Sequence, residues 1–170
     1  MTPKEIDLVQ ESFAKLLPIS DAVAQLLFLR LMERDPSLQN LFSCCDLKQQ
    51  GGRVMGSLGA AVEGLDDLDS LLPCLRDLAV RHVGYGVKTA HYATFRDALI
   101  WTLEIALDKD FNAPVRGAWA AFYELLSSTM IEAAEQRIAK LQAPRRGGRL
   151  RTLTVPPDLL PPLETPRFGT

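Results

Sequence analysis

Apolar residues spaced three and four apart recur along almost all of the first 143 residues, and no other feature constrains the fold as strongly. Ile6, Val9, Phe13 and the Leu16-Leu17 pair show this pattern near the start of the chain. Such spacing places apolar side chains on one face of an α-helix. No six-residue stretch alternates β-branched residues as a half-buried strand would. We therefore predict an all-α fold with short connections.

Prolines, glycines and short polar residues mark where the predicted helices begin and end. The Ser20-Asp21 pair is typical of a helix cap, and Pro36 ends the helix that follows it. Pro73 suits the first turn of a later helix, which the Gly84–Gly86 segment terminates. The predicted elements are a helix over Ile6–Leu17, a short helix or turn over 36–42, and helices over 21–34, 48–64, 73–83, 91–108 and 113–142.

The composition changes sharply near position 143. Residues 144–170 hold six of the eleven prolines, and five arginines against two acidic residues. Proline removes a backbone donor and favours extended structure. We predict a domain over 1–143 with a net charge near −5 and a flexible tail over 144–170 with a net charge of +3. Deleting this tail should leave the thermal stability of the domain nearly unchanged. The tail residues that could anchor an unknown protein partner are Leu159, Leu160, Leu163 and Phe168. A solvated tail without a function of its own is the alternative.

Charge and hydropathy argue against several classes of function. The formal net charge of −2 gives no general attraction to phosphate backbones, so we expect no nucleic-acid partner. Uninterrupted apolar runs such as Leu26–Leu29 are far shorter than the ~18–20 residues that span a bilayer. The first residues do not show the apolar segment of a signal peptide. We therefore expect a cytoplasmic protein with no membrane partner.

Three cysteines, Cys44, Cys45 and Cys74, fit neither a disulfide framework nor a zinc site. Adjacent cysteines rarely bridge each other, and thiols stay reduced in the cytosol. We expect three free thiols, while a bridge from Cys74 to either cysteine of the adjacent pair stays open.

The chain has only two histidines, His82 and His91. His82 shares an apolar helical stripe with Leu75, Leu78 and Ala79. An imidazole in an apolar interior needs partners for its nitrogens. A backbone carbonyl is the usual partner, and the iron of a haem is the rarer one.

Gln50 lies on a different predicted helix, with Val54 one turn further along the same face. A buried glutamine opposite a buried histidine indicates a small polar ligand between them. Phe42, which follows Pro36, is placed to lay its ring against a flat cofactor.

Four segments, in this order along the chain, resemble those of globins, and the resemblance covers roughly residues 4–142. They are ERDPSLQNLF, LDDLDSLLPCLRDLAVRHVGYGV, AHYATF and GAWAAFYELL. The chain is most similar to single-domain bacterial globins of the neuroglobin-like and flavohaemoglobin-like branch. The resemblance implies the globin fold, a three-on-three helical sandwich, and a haem b cofactor with its iron.

The resemblance also implies roles for individual residues. His82 would be the proximal iron ligand, Gln50 the distal residue and Phe42 the ring stacked on the haem. The residues expected to line the pocket are Phe28, Val54, Leu78, Val87, Tyr92 and Phe95. Arg53 and His91 would approach the haem propionates, and for His91 a polar residue at a helix start is an equally good interpretation.

The distal position has a competitor, because one residue more than the family pattern separates Phe42 from Gln50. Gln49 has Arg53 one turn further on, whereas Gln50 has the apolar Val54, which favours Gln50.

Two departures from bacterial relatives bear on function. Phe28 stands where many of them place a tyrosine that donates to oxygen, so oxygen should be held less tightly here, by Gln50 alone. Tyr92 matches a tyrosine that polarises the proximal histidine, but Ala134 stands at the matching carboxylate position, with Glu132 and Glu135 on other faces. Peroxidase-type chemistry is therefore not favoured.

Three functions follow from these patterns. The first is reversible binding of oxygen, CO or NO for storage, transport or sensing. The second is nitric oxide dioxygenation that depends on a separate reductase, because the 27-residue tail is too short for a flavin or nicotinamide domain and no G-x-G-x-x-G occurs. The third, a haem-free helical interaction module, leaves His82 and Gln50 unexplained.

Overall fold

The computed structural model describes residues 1–42 and 46–142. All regular elements in these ranges are helical, which confirms the predicted all-α class. The α-helices are α1 (Pro3–Leu16), α2 (Ser20–Arg34), α3 (Gln39–Phe42), α4 (Leu47–Glu63), α5 (Leu68–Gly84), α6 (Thr89–Leu107) and α7 (Ala113–Gln142). Short 3-10 helices lie at Leu17–Ile19, Pro36–Leu38, Gly64–Asp66 and Asp108–Asp110. Cys44, Cys45 and the predicted tail lie outside the described residues.

Side-chain caps fix several helix starts. Thr2 and Glu5 form a reciprocal capping box at the start of α1, in which the Thr2 backbone N–H donates to Glu5 Oε2 at 2.7 Å. The hydrogen bonds from Thr2 lower the pKa of the Glu5 carboxyl. Asp46 accepts the backbone N–H of Lys48 at 2.9 Å and so orients the first turn of α4.

The cap predicted at Ser20-Asp21 is wrong. Ser20 is the first residue of α2, and Ile19 before it provides no side-chain hydrogen bond. The reason is that the chain enters α2 directly from the Leu17–Ile19 3-10 helix, which leaves no extended residue to act as a cap.

The start predicted for the helix of His82 is also wrong, because α5 begins at Leu68 and contains Pro73 in its second turn. Asp67 caps it by accepting the Ser70 backbone N–H at 3.2 Å. Proline here costs one backbone hydrogen bond, which is offset because α5 packs along α7.

The helices form two layers. One consists of α1, α4 and α5, and the other of α2, α6 and α7. Across the layers, α1 and α5 pack on α7, and α2 packs on α4. Within the second layer, α6 packs on both α2 and α7. This arrangement confirms the predicted three-on-three helical sandwich.

The core is most completely packed where α1 meets α7. Trp119 and Phe122 are fully buried, and their rings meet edge-on with centroids 5.4 Å apart. The Trp119 indole N–H donates to Ser12 Oγ at 2.9 Å, and that hydroxyl donates to the Leu8 carbonyl at 2.6 Å. The buried polar atoms of this pair are therefore satisfied.

Helices α2 and α4 cross closely at Gly51. A Cβ atom at this position would lie 2.9 Å from Ala24 Cβ, which is too close for any other residue without a shift. The crossing fixes Gln50, the preceding residue of α4, relative to Phe28 of α2.

Helices α4 and α5 are joined only by the Gly64–Asp66 3-10 helix, yet they are not a packed pair within the described part of the chain. Each instead packs on the opposite layer, α4 on α2 and α5 on α7. Gln50 of α4 and His82 of α5 therefore lie on helices that do not pack on each other, and we refer to the region between these two helices as the α4–α5 crevice.

The helical stretch Pro3–Arg34 is, by length and composition alone, apolar enough to cross a membrane. Core helices pass the same test. Here a 3-10 helix divides the stretch, and many of its apolar residues lie in the core, including Val9, Phe13, Leu16, Val23 and Leu27.

Candidate functional site

His82 lies on α5 and is partly buried. Its Nδ1 is 2.9 Å from the Leu78 carbonyl oxygen, so Nδ1 carries the proton and donates it. Burial lowers the pKa of His82 and outweighs the Leu78 hydrogen bond, which raises it, while Arg81 makes a smaller lowering contribution. The imidazole is therefore neutral near pH 7 and keeps a lone pair on Nε2. This is the form in which histidine binds a metal.

Two tyrosines flank this imidazole. The Tyr92 ring stacks on it, with centroids 6.5 Å apart and planes at 27°, and the Tyr85 ring lies at 6.4 Å. The Tyr92 hydroxyl is buried without a hydrogen-bond partner among the described residues, and burial raises its pKa. Such a group is costly to leave unpaired, which indicates that a further group fits beside it.

Tyr123 of α7 was not singled out by the sequence analysis, although it lies in the GAWAAFYELL segment. Its hydroxyl donates to the Tyr92 carbonyl at 2.7 Å, and its ring stacks on Phe95 at 5.9 Å. Burial raises the pKa of Tyr123. The helical spacing of four from Trp119 was the signal that could have identified it as buried.

Gln50 occupies the α4 wall of the crevice. Its side chain is partly buried whereas Gln49 is exposed, which supports the choice of Gln50. Within the described residues, Gln50 Oε1 is buried and accepts no hydrogen bond. The amide is therefore available to a ligand in the crevice.

Two aromatic side chains without hydrogen-bonding atoms, Phe28 of α2 and Phe42 of α3, lie in contact on the α2 side of the site. Phe28 is only 5% exposed, and its ring meets Phe42 edge-on at 5.2 Å. Phe28 is also 4.0 Å from the Cβ position of Gly51, next to Gln50. A ligand near Gln50 thus finds no donor on Phe28.

Five apolar residues predicted to contact the cofactor are partly buried, whereas Phe28 and Tyr92 are buried. The five partly buried residues are Phe42, Val54, Leu78, Val87 and Phe95. Leu41, which the sequence analysis missed, joins them and lies 3.8 Å from the Cβ position of Gly86, where φ is +83°. A free histidine lone pair, an amide oxygen without a partner in the described residues and partly buried apolar side chains are groups that fit a haem.

The two residues predicted near the propionates differ in what the structure shows. Arg53 is partly buried on α4, close to Gln50 in the chain. His91 Nδ1 accepts the Lys88 backbone N–H at 3.1 Å, which is the helix-start role considered as its alternative.

Ala134, at the position matched to the proximal carboxylate of bacterial relatives, is 8% exposed. Glu132 and Glu135 are exposed, and no carboxylate of the described residues hydrogen-bonds to His82 or Tyr92. Cys74 is a free, partly buried thiol. Within the described ranges, no group of three or more metal-binding side chains occurs.

Residues 25–130 match the family model described as Globin. The chain is 29% identical over 143 residues to Neuroglobin-1 of Oncorhynchus mykiss, covering 76% of this chain and 90% of that protein. It is 30% identical over 143 residues to Neuroglobin of Danio rerio, with the same coverage. It is 30% identical over 152 residues to a Flavohemoprotein of Bordetella parapertussis, covering 87% of this chain and 37% of that protein.

Proposed function

The chain belongs to the globin family, and from this premise we propose that it holds haem b through His82 and reversibly binds oxygen and other diatomic gases such as CO and NO. Haem-based gas binding in general follows from family membership. The proposed role is oxygen storage, transport or sensing in the cytoplasm.

The observation that carries the proposal is the hydrogen bond from His82 Nδ1 to the Leu78 carbonyl. It favours the tautomer with the proton on Nδ1 and orients the ring, so Nε2 would be the ligand atom. The lowered pKa of His82 keeps this nitrogen unprotonated near pH 7. When bound, haem would supply an iron that coordinates diatomic gases.

On the opposite wall, Gln50 supplies the polar contact. Its amide has a buried oxygen without a partner in the described part of the chain, and its NH2 group donates hydrogen bonds. Phe28, next to Gly51, and Val54, one turn further along α4, add apolar surface near this amide. We propose that Gln50 orients a polar diatomic ligand while Phe28 limits the stabilisation to this one donor.

Absorption spectra of purified and haem-reconstituted protein in ferric, ferrous and CO-bound forms test the proposal. His82→Ala or His82→Leu should weaken haem retention by at least about 10–100-fold, since it removes the ligand. His91→Ala is the matched control, because His91 is the second of only two histidines, and it should retain haem. An unchanged Soret band in both His82 variants would sink the assignment.

The alternative function is nitric oxide dioxygenation with a separate reductase. The similarity to a Flavohemoprotein favours it, and so does the Tyr92 ring stacked on His82. Ala134, in place of a carboxylate, argues against a strongly electron-donating histidine. Nitrate formation from NO and oxygen, measured with and without an added reductase, distinguishes the two functions.

A further inference from the structure

A groove of about 500 Å³ runs along the surface between the first half of α6 and the second half of α7. Its buried or partly buried lining includes Tyr92, Tyr123 and Ile131, and its exposed lining includes Glu124, Glu132 and Glu135. The groove thus combines aromatic and apolar surface with an acidic edge.

The acidic edge is not neutralised by the described part of the chain, where none of these three carboxylates forms an ion pair. Arg96 also lines the groove, but it pairs with Asp97 at 3.0 Å. A second groove, between α2 and α6, is different, because its cations Arg30 and Arg34 pair with acids of the same groove. The α6–α7 groove therefore retains negative charge available to a basic ligand.

The same face of α7 continues towards the end of the helix. Ile131, Glu135 and Ile138 follow each other at helical spacing, and Ile138 is 39% exposed. Leu141, in the last turn, is 62% exposed. Exposed apolar residues thus lie between the groove and Gln142, the last residue of α7.

Residues 144–170 have a composition that complements the acidic and apolar α6–α7 groove. Four arginines and no acid occur in 145–151, and six prolines occur in 144–170. Arginine pairs well with carboxylates, and proline-rich segments bind aromatic-lined grooves because they lose little conformational entropy. We propose that segment 144–170 binds in the α6–α7 groove of its own chain, with its arginines against the glutamates and its prolines and leucines against the apolar surface.

The segment that follows α7 is long enough to reach the glutamates of the groove. At 1.5 Å per helical residue, Glu135 lies about 10 Å and Glu124 about 27 Å from the end of α7. An extended chain at about 3.1 Å per residue covers these distances in roughly four and nine residues, so the four arginines can reach the whole edge. Tethering also gives an effective concentration of about millimolar, so weak contacts suffice.

This proposal replaces the expectation that segment 144–170 packs little, and it does not depend on haem. Tyr92 lines the groove and also stacks on His82. A segment bound there lies directly behind the candidate proximal histidine.

Trypsin cleavage of the full-length chain after Arg145, Arg146, Arg149 and Arg151 tests the proposal. We expect slow cleavage at low salt and about three- to tenfold faster cleavage when salt screens the ion pairs. Glu132→Gln/Glu135→Gln should be cleaved rapidly at both salt concentrations. Glu11→Gln/Glu63→Gln is the matched control, because it removes the same charge from exposed residues of α1 and α4 and should behave as the wild type.

Equal rates of trypsin cleavage at low salt in the wild type and in Glu132→Gln/Glu135→Gln would overturn the proposal. Protection that rises with protein concentration would overturn it as well, since the segment would then belong to a second copy. Arg149→Gln/Arg151→Gln leaves the groove intact, and it should speed cleavage after Arg145 and Arg146 in the same way.

Discussion

The α1–α7 contact and the α4–α5 crevice are both built from apolar residues around a few polar atoms, but they treat these atoms differently. At the α1–α7 contact, the Trp119 indole and the Ser12 hydroxyl are buried and fully hydrogen-bonded. Around the predicted site, Gln50 Oε1 of α4 and the hydroxyl of Tyr92, whose ring stacks on His82, are buried without partners in the described residues. The first region stabilises the fold, while the second holds polar groups ready for a ligand at some cost in stability.

The largest effect is expected from a substitution at the α1–α7 contact, where the buried polar atoms of Trp119 and Ser12 are hydrogen-bonded. Trp119→Ala should lower the free energy of unfolding by about 3–5 kcal/mol, because it leaves a cavity and removes the donor to Ser12. Trp101→Ala is the control, since Trp101 lies nearer the surface under Arg30 and should cost about 1 kcal/mol. Urea unfolding of the haem-free protein measures both, and equal losses would contradict the distinction.

Gln50→Leu tests the region in which a buried amide oxygen has no hydrogen-bond partner among the described residues. In haem-loaded protein it should speed oxygen dissociation by the equivalent of about 1–3 kcal/mol, and CO dissociation much less because bound CO carries less charge. In haem-free protein it should leave stability unchanged or raised, because an unpaired amide is removed. Gln49→Leu, at the exposed neighbour, should alter neither rate. Stopped-flow measurement of both gases tests this, and equal effects on them would refute the distal assignment.

A smaller effect is expected on the pH dependence of stability. The pKa of His82 is lowered in the folded chain, so its contribution to stability is complete above the unfolded value of about 6.5. The contribution is lost as the pH falls through the lowered pKa. Melting temperatures of haem-free wild type should therefore decline below about pH 6.5, and those of His82→Leu should decline less. The lowered pKa values of the Glu5 and Asp67 carboxyls act at more acidic pH in both proteins. Coincident curves would contradict the prediction.

No change at all is expected from His91→Ala in the ferrous spectrum. His91 lies beyond the Gly84–Gly86 break and is hydrogen-bonded at the start of α6, so it cannot reach the face of the haem opposite His82 without unfolding that corner. Gln50 offers an amide, which is a poor ligand for ferrous iron. The deoxy ferrous iron should therefore keep its sixth position open. A sharp bis-ligated spectrum without added ligand would show that an internal side chain occupies it.

Helix identity was predictable because apolar spacing is a local property, and the predicted elements from Ile6 to position 142 are close to α1–α7. The start of α5 was not predictable from Pro73. The Asp67 cap and the packing of α5 on α7 together outweigh a proline's local preference.

The sequence by itself determined the helical class, the stripe that carries His82 and the preference for Gln50 over Gln49, because each depends on neighbours within one or two helical turns. The tertiary structure decided which polar groups have partners. Tyr123 reaches Tyr92 from 31 residues away, and Trp119 reaches Ser12 across 107. It also placed acidic residues of α7 beside α6 in one groove. Such pairings depend on how the two layers cross, and the spacing of residues along one helix does not contain that geometry.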